Sequence, residues 1–211
     1  MRVVGMARLR EFDEDKVLIA AADAFWSRGY EATTTRDLTE ATGLSHSSLY
    51  AAYGDKRGIF LQALDHYLER ILRERIRRLE TTLPPRDAIS GFFDEIIDRS
   101  LADAQHRGCL LVNSALEATP EDPEIQKRVA SETLLIENFF LRCIAAGQKA
   151  GDVPRDHPAL QYARQFLAVL LGLRVLARVR PDKSLLLDLV RPALSSIGVN
   201  RAQRRGLCEL K

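Results

Sequence analysis

Hydroxyl, imidazole and basic side chains crowd into one stretch, Thr33 to Phe60, which reads TTTRDLTEATGLSHSSLYAAYGDKRGIF. Short side chains at Ser47, Ser48, Ala51 and Ala52 let a helix enter a DNA major groove about 12 Å wide. His46 lies near the helix end that meets base edges, where it either contacts base or phosphate or is merely solvated. Arg36, one helix earlier, either pairs bidentately with a guanine or makes an i,i+4 salt bridge with Glu40. A tyrosine hydroxyl and an ammonium suit phosphate oxygens, so Tyr50 and Lys56 are read as register contacts; the alternative for Tyr50 is a core aromatic, and Tyr53 is expected to be buried. Thr34 and the N–H groups at its helix start offer one more anion contact.

Two short helices must position these groups. Thr34 sits where an N-cap belongs, with Asp37 three residues on as the reciprocal partner of a capping box. Gly43 supplies the left-handed conformation that ends a helix, Ser45 caps the next, and Leu49 is its inward contact. Helix, sharp turn, helix in this span is helix-turn-helix spacing. One module supplies limited affinity, and two held about 34 Å apart read successive half-sites. The expected target is therefore a palindromic double-stranded DNA operator, and the expected reader is a dimer.

Charge does not carry this reading. The 211 residues contain 31 Lys plus Arg against 29 Asp plus Glu, for a net +2, so neither a basic arm nor a basic patch explains DNA affinity. The composition, 46% hydrophobic, is ample for a core. Cys109, Cys143 and Cys208 are odd in number and widely spaced, which argues against a disulfide framework or a zinc site and fits a reducing cytoplasm. No apolar stretch of signal-peptide length opens the chain, although Met6 is a second candidate start. The most apolar run, Phe166 to Leu173, is short of the roughly 20 residues a membrane span needs and is read as a buried helix face. Nucleotide-binding, metalloprotease and nucleophile-elbow motifs are missing, so no enzyme, cofactor, metal or membrane partner is expected.

In chain order, residues 1–12 read as a flexible arm and 13–60 as the DNA-binding domain. Within it, Asp13 to Asp15 favour a helix start, and Val17, Leu18, Ala21, Ala24 and Phe25 form one apolar stripe ending at Gly29. A connecting helix runs from about Asp55 to Leu79. Pro84 and Pro85 then break the chain, and five further helices are expected over about 86–104, 109–118, 122–150, 156–180 and 182–198. Residues 61–199 are read as a ligand-binding and dimerisation domain, and 200–211, with Arg201, Arg204 and Arg205, as a mobile basic tail. No stretch reads as a strand. The fold expected is all-α.

The run GYEATTTRDLTEATGLSHSSLYAAYGDKRGIF, preceded by a helix ending in AFWSRGY, resembles the DNA-binding half of TetR-family transcriptional regulators over about residues 13–62. Gly29, Tyr30, Thr33 to Thr35, Gly43, Leu49, Tyr50, Gly54 and Lys56 stand in register. The resemblance implies a homodimer, an effector pocket in the C-terminal domain, and repression relieved by a small molecule. It also favours the base-reading role for Arg36, which stands in a family TTR-x-L run. Ser47, Ala51, Ala52 and Thr39 depart from the family pattern, so no relative's operator carries over. The competing class is a helical ligand-binding module without a DNA-reading role.

Pocket candidates are Phe92, Phe93, Ile96, Cys109, Asn113, Glu117, Phe139, Phe166 and Arg174. Arg174 is either an anchor for an anionic effector or half of an internal ion pair. Cys109, after Gly108 at a helix start, is placed where the dipole lowers a thiol pKa; a short GCL-type segment resembles that of electrophile-responsive members, and the alternative is a structural cysteine. The expected pairing surface uses the last two helices through Leu167, Leu170, Leu171, Leu186, Leu189, Val190 and Leu194, serving core and pairing together; the alternative is that these leucines only close the subunit's own core. Effector binding is expected to act by population shift through the connecting helix.

Overall fold

The computed structural model describes residues 12–119 and 122–199. The expected tail, and all but the last residue of the expected arm, lie outside the described residues. The described residues form helices joined by loops, with no strand among them. The chain divides into two compact units between Tyr67 and Leu68.

The N-terminal unit contains α1 (Glu14–Arg28), α2 (Thr35–Thr42), α3 (His46–Tyr53) and α4 (Lys56–Tyr67). Asp13 caps α1 by accepting the Lys16 N–H at 3.3 Å. Packing of α1 on α4 makes the core, in which the Phe25 ring meets Phe60 edge-on at 5.0 Å and Tyr30 lies 4.7 Å from Phe60. Buried Phe60, Ala63, Leu64 and Tyr67 make the whole of α4 part of this unit, so the division falls several residues beyond the expected end at residue 60.

The helical run does not stay α past Tyr67. Leu68–Arg73 is a π-helical segment, followed by α5 (Glu74–Thr82). The cause is a spacing in the sequence. Leu64, Leu68, Leu72 and Ile76 are all buried and recur every fourth residue, which in a straight α-helix drifts by roughly 40° per step. A wider π turn offsets that drift.

The C-terminal unit continues with α6 (Pro85–Ala102), α7 (Leu110–Glu117), α8 (Pro123–Ala150), α9 (Ala159–Val179) and α10 (Lys183–Ser196). Pro85 and Pro123 occupy first-turn positions where a missing N–H costs nothing. Asp122 and Asp182 cap α8 and α10. The core is aromatic: Phe92, Phe93, Phe139, Phe140 and Phe166 are wholly buried, with ring centroids 5.2 Å apart for Phe92 and Phe139 and 5.5 Å for Phe140 and Phe166.

Candidate nucleic-acid interface

Local chemistry holds the two reading helices in place. Thr34 and Asp37 form the full capping box: the Asp37 N–H donates to Thr34 Oγ1 at 3.2 Å, and the Thr34 N–H donates to Asp37 Oδ2 at 2.8 Å. The Thr34 hydroxyl and N–H, helped by Arg28, hold the Asp37 carboxyl below its ordinary value against the cost of desolvation. Arg28 pairs directly with Asp37, tying the end of α1 to the start of α2. The Thr34 hydroxyl that sequence reasoning offered to phosphate is thus engaged in its own cap, beside a carboxylate.

Gly43 closes α2 at φ 71°, ψ 5°, the left-handed region. Ser45 then caps α3, its Oγ accepting from the Ser48 N–H at 3.1 Å and lying 3.0 Å from the Ser47 hydroxyl. Leu49, 2% exposed, and Tyr53, 5% exposed, turn into the unit. At the α3–α4 junction Gly58 permits a close approach, since a Cβ there would stand 1.9 Å from the Tyr53 carbonyl oxygen.

What remains outside is the reading face. Arg36, Ser45, His46, Ser47, Ser48 and Ala51 are all exposed. Arg36 donates through Nε to Glu40 at 2.8 Å, with both side chains mostly in water. Such a surface pair contributes little, so the guanidinium can exchange Glu40 for a base edge at small cost. Tyr50 is half-buried; its hydroxyl is 2.9 Å from that of Thr35, and its ring lies 4.4 Å from His46. Lys56 reaches back to the loop before α2, donating to the Glu31 carbonyl at 3.1 Å with its ammonium 4.6 Å from the Tyr30 ring centre. Both polar tips are engaged within the module and both residues are partly exposed, so a phosphate oxygen would have to share or displace these contacts.

The C-terminal candidates separate into two groups. Phe92, Phe93, Phe139 and Phe166 are packed ring on ring in the core with Ile96, 5% exposed, beside them. Cys109, Asn113 and Arg174 instead gather at the start of α7. Arg174 donates to Ser100 Oγ at 2.8 Å and to the Gly108 carbonyl at 2.9 Å, while Asn113 Nδ2 donates to the Arg107 carbonyl at 2.9 Å. Burial works against ionisation of the Cys109 thiol, but Arg174 and the N–H groups of Val112 and Leu111 outweigh it and hold the thiol below its ordinary value. Glu117 is exposed at the other end of α7. A separate open cleft of about 190 Å3 lies between Glu80, Leu83, Ala88, Arg142 and Cys143. Among the described residues no cluster of three or more His, Cys, Asp or Glu is arranged to hold a metal.

The pairing candidates also divide. Leu170, Leu186, Val190 and Leu194 are buried within the unit itself, while Leu167, Leu171 and Leu189 are half-covered. The outward stripe of α9 is Ala168, Gly172, Val175 and Val179, and Val179 is 66% exposed. Small residues set among leucines were the signal. The 21-residue α9 is long and apolar enough to cross a membrane by length and composition, and 28% of its apolar window is buried.

Comparison with known proteins bears on the whole described chain. Residues 17–63 match the model for bacterial regulatory proteins of the tetR family, and residues 85–192 match the tetracyclin repressor-like C-terminal domain. The chain belongs to the TetR family of transcriptional regulators. The HTH-type transcriptional regulator YezE of Bacillus subtilis is 32% identical over 191 residues, covering 90% of this chain and 98% of that protein. The HTH-type transcriptional repressor ComR of Escherichia coli is 29% identical over 81% of this chain and 82% of its own. Among solved structures, a cysteine-substituted form of the TetR-family regulator CifR in complex with 26-bp operator DNA superposes with a TM-score of 0.79 at 36% identity, covering 90% of this chain and 99% of that one. This TetR-family chain is a DNA-binding transcriptional regulator, and the alternative of a helical module with no DNA-reading role gives way.

Proposed function

We propose that the protein is a repressor that binds a palindromic operator as a homodimer in the cytoplasm and is released when a small molecule binds its C-terminal unit. The exposed face of α3 carries the DNA half of this reading. Ser45, His46, Ser47, Ser48 and Ala51 are short or flat side chains on a helix fixed by a cap, a left-handed glycine and two buried anchors. Arg36 supplies the base contact on α2; Tyr50 and Lys56 supply phosphate contacts. The designation of ComR as a repressor favours that sign.

Pairing is assigned to the outward stripe of α9. Val175 and Val179 are 42% and 66% exposed, and nothing lies within 4 Å of where a Cβ on Gly172 would be. A small, apolar, uncovered helix face of this kind suits an isologous contact with a second copy, and no membrane partner is assigned to it. Leu167, Leu171 and Leu189 flank the stripe; Leu170, Leu186, Val190 and Leu194 support it from within. Sedimentation velocity tests the assignment. The wild-type chain is expected to run as a dimer and the Val175→Asp, Val179→Asp double variant as a monomer; a monomeric wild type or a dimeric variant contradicts it.

The effector region is assigned to the polar group at the start of α7, Cys109, Asn113 and Arg174, with Ile96 and the phenylalanine core behind it. The connecting run α4, π segment and α5 is assigned the coupling role. Reciprocity then requires effector affinity to differ with and without operator.

A further inference from the structure

Along the C-terminal half of α6, guanidinium groups gather from the interior of the C-terminal unit to its surface. Arg75 of α5 is 7% exposed, unusual for an arginine, and donates to Glu95 Oε2 at 3.1 Å. Glu95 is shared, because Arg78 approaches both of its oxygens at 2.7 Å. One helical turn further, Arg99 is exposed, and its guanidinium hydrogen-bonds to no group among the described residues. The next residue, buried Ser100, takes the hydrogen bond from Arg174 of α9. Three helices thus bring Arg75, Arg99 and Arg174 to one two-turn stretch, where Glu95 already serves Arg75 and Arg78 together.

The energetic consequence is visible at Arg75. Burial pushes its guanidinium below the ordinary value, and the like charges of Arg99 and Arg174 push it further, against the pull of Glu95. Buried charge of one sign is costly until it is paired. The positive charge of Arg174 also reaches Cys109, whose thiol it holds below the ordinary value against burial, together with the Val112 and Leu111 N–H groups. The surroundings limit what the rest of that anion is. The Arg75 guanidinium lies 5.9 Å from the Phe92 ring centre, at the edge of the aromatic core, so a partly apolar molecule fits better than a bare inorganic ion.

We propose that the effector of this regulator is a small organic acid whose carboxylate or phosphate is held by Arg75, Arg99 and Arg174. The proposal rests on the effector reading above and gives its ligand a chemical class. Arg99, at the surface, meets the incoming anion; Arg174 and Arg75 hold it through planar forks suited to either oxyanion. The new charge offsets the repulsion among the three guanidiniums, so binding stabilises the unit.

The test is calorimetry and thermal unfolding of the full-length protein with benzoate and phenyl phosphate, against benzamide and benzyl alcohol as uncharged controls. At least one anion is expected to bind and raise the unfolding temperature, with the controls inert. Arg99→Gln, an exposed change, is expected to weaken that binding roughly tenfold, and Arg174→Gln roughly ten- to hundredfold, with circular dichroism confirming that each variant is folded. Failure of both anions to bind, equal binding of the controls, or full affinity in Arg99→Gln overturns the proposal. Retention of genomic DNA fragments by the same preparation is scored separately. Anion binding without DNA retention counts against the regulator reading, and DNA retention without anion binding counts against the organic acid.

Discussion

Replacing Leu49 with Ala removes a side chain that never touches DNA, yet it should disable DNA reading. Isolated helices this short are unstable in water, and α3 has eight residues. Its place therefore depends on the side chains it buries, chiefly Leu49 at 2% and Tyr53 at 5% exposure. Truncating a buried leucine forfeits about 2–3 kcal/mol of transfer free energy, with a cavity penalty that brings such changes to about 2–5 kcal/mol. At the low end, α3 opens roughly thirtyfold more often, at about 1.4 kcal/mol per factor of ten. Hydrogen exchange read by mass spectrometry should show that increase in peptides covering 45–54, with α8 and α9 unchanged because they belong to the other compact unit. Operator affinity should fall in parallel. Wild-type protection of α3 in the Leu49→Ala variant would refute the claim that this side chain positions the helix.

Further outcomes follow from the same geometry. Lys56→Met should weaken binding evenly across DNA sequences and reduce the slope of log affinity against log salt by about 1; an unchanged slope in titrations across salt would leave Lys56 a purely structural clamp on Tyr30 and Glu31. Arg73 pairs with Glu132, which is 3% exposed and whose Oε2 has no hydrogen-bond partner among the described residues. Arg73→Met should therefore cost about 2–3 kcal/mol in urea unfolding, at or below the low end for a broken buried pair because Arg73 is a third exposed, whereas Arg73→Met with Glu132→Leu should recover much of it; additive losses would contradict the pair. Iodoacetamide should alkylate Cys109 well before Cys143, whose thiol burial pushes up to about 12, and Arg174→Gln should slow the Cys109 reaction at fixed neutral pH by raising its thiol back up. Mass spectrometry of the labelled peptides reads both, and an oxidant response that survives Cys109→Ser removes that thiol as the sensor.

Local rules made much of this molecule legible in advance. Cap residues and glycines are read one turn at a time, so Thr34 with Asp37, Gly43 and Ser45 marked α2 and α3, and Pro84 with Pro85 marked the start of α6. The α7, α8, α9 and α10 helices fell inside their expected spans for the same reason, and α6 began one residue before its own. What escaped depends on partners distant in sequence. A leucine-rich helix announces burial without saying which neighbour buries it, so the division of Leu186, Val190 and Leu194 between the unit's own core and a pairing surface was not legible; within the unit they are buried. The Arg28–Asp37 link that fixes α1 to α2, and the Arg75, Arg99 and Arg174 gathering, join residues on different helices that no spacing rule connects. The π segment is a different case. Its signal, Leu64, Leu68, Leu72 and Ile76 at strict fourfold spacing, stands in the sequence and was simply averaged into a helical period.

The account stands on α3 as the DNA-reading element, and one binding experiment addresses it directly. Genomic fragments retained by the wild-type protein are used to measure affinity for wild type and for Ser47→Glu, a change at an exposed position that places a carboxylate on the face meant for the groove. Wild type should give specific, salt-dependent binding with a two-fold symmetric footprint, and Ser47→Glu should lose specific binding while its thermal unfolding stays the same. Equal affinity of the folded Ser47→Glu variant for the same fragment, or retention of no fragment by wild type at any salt concentration, would contradict it.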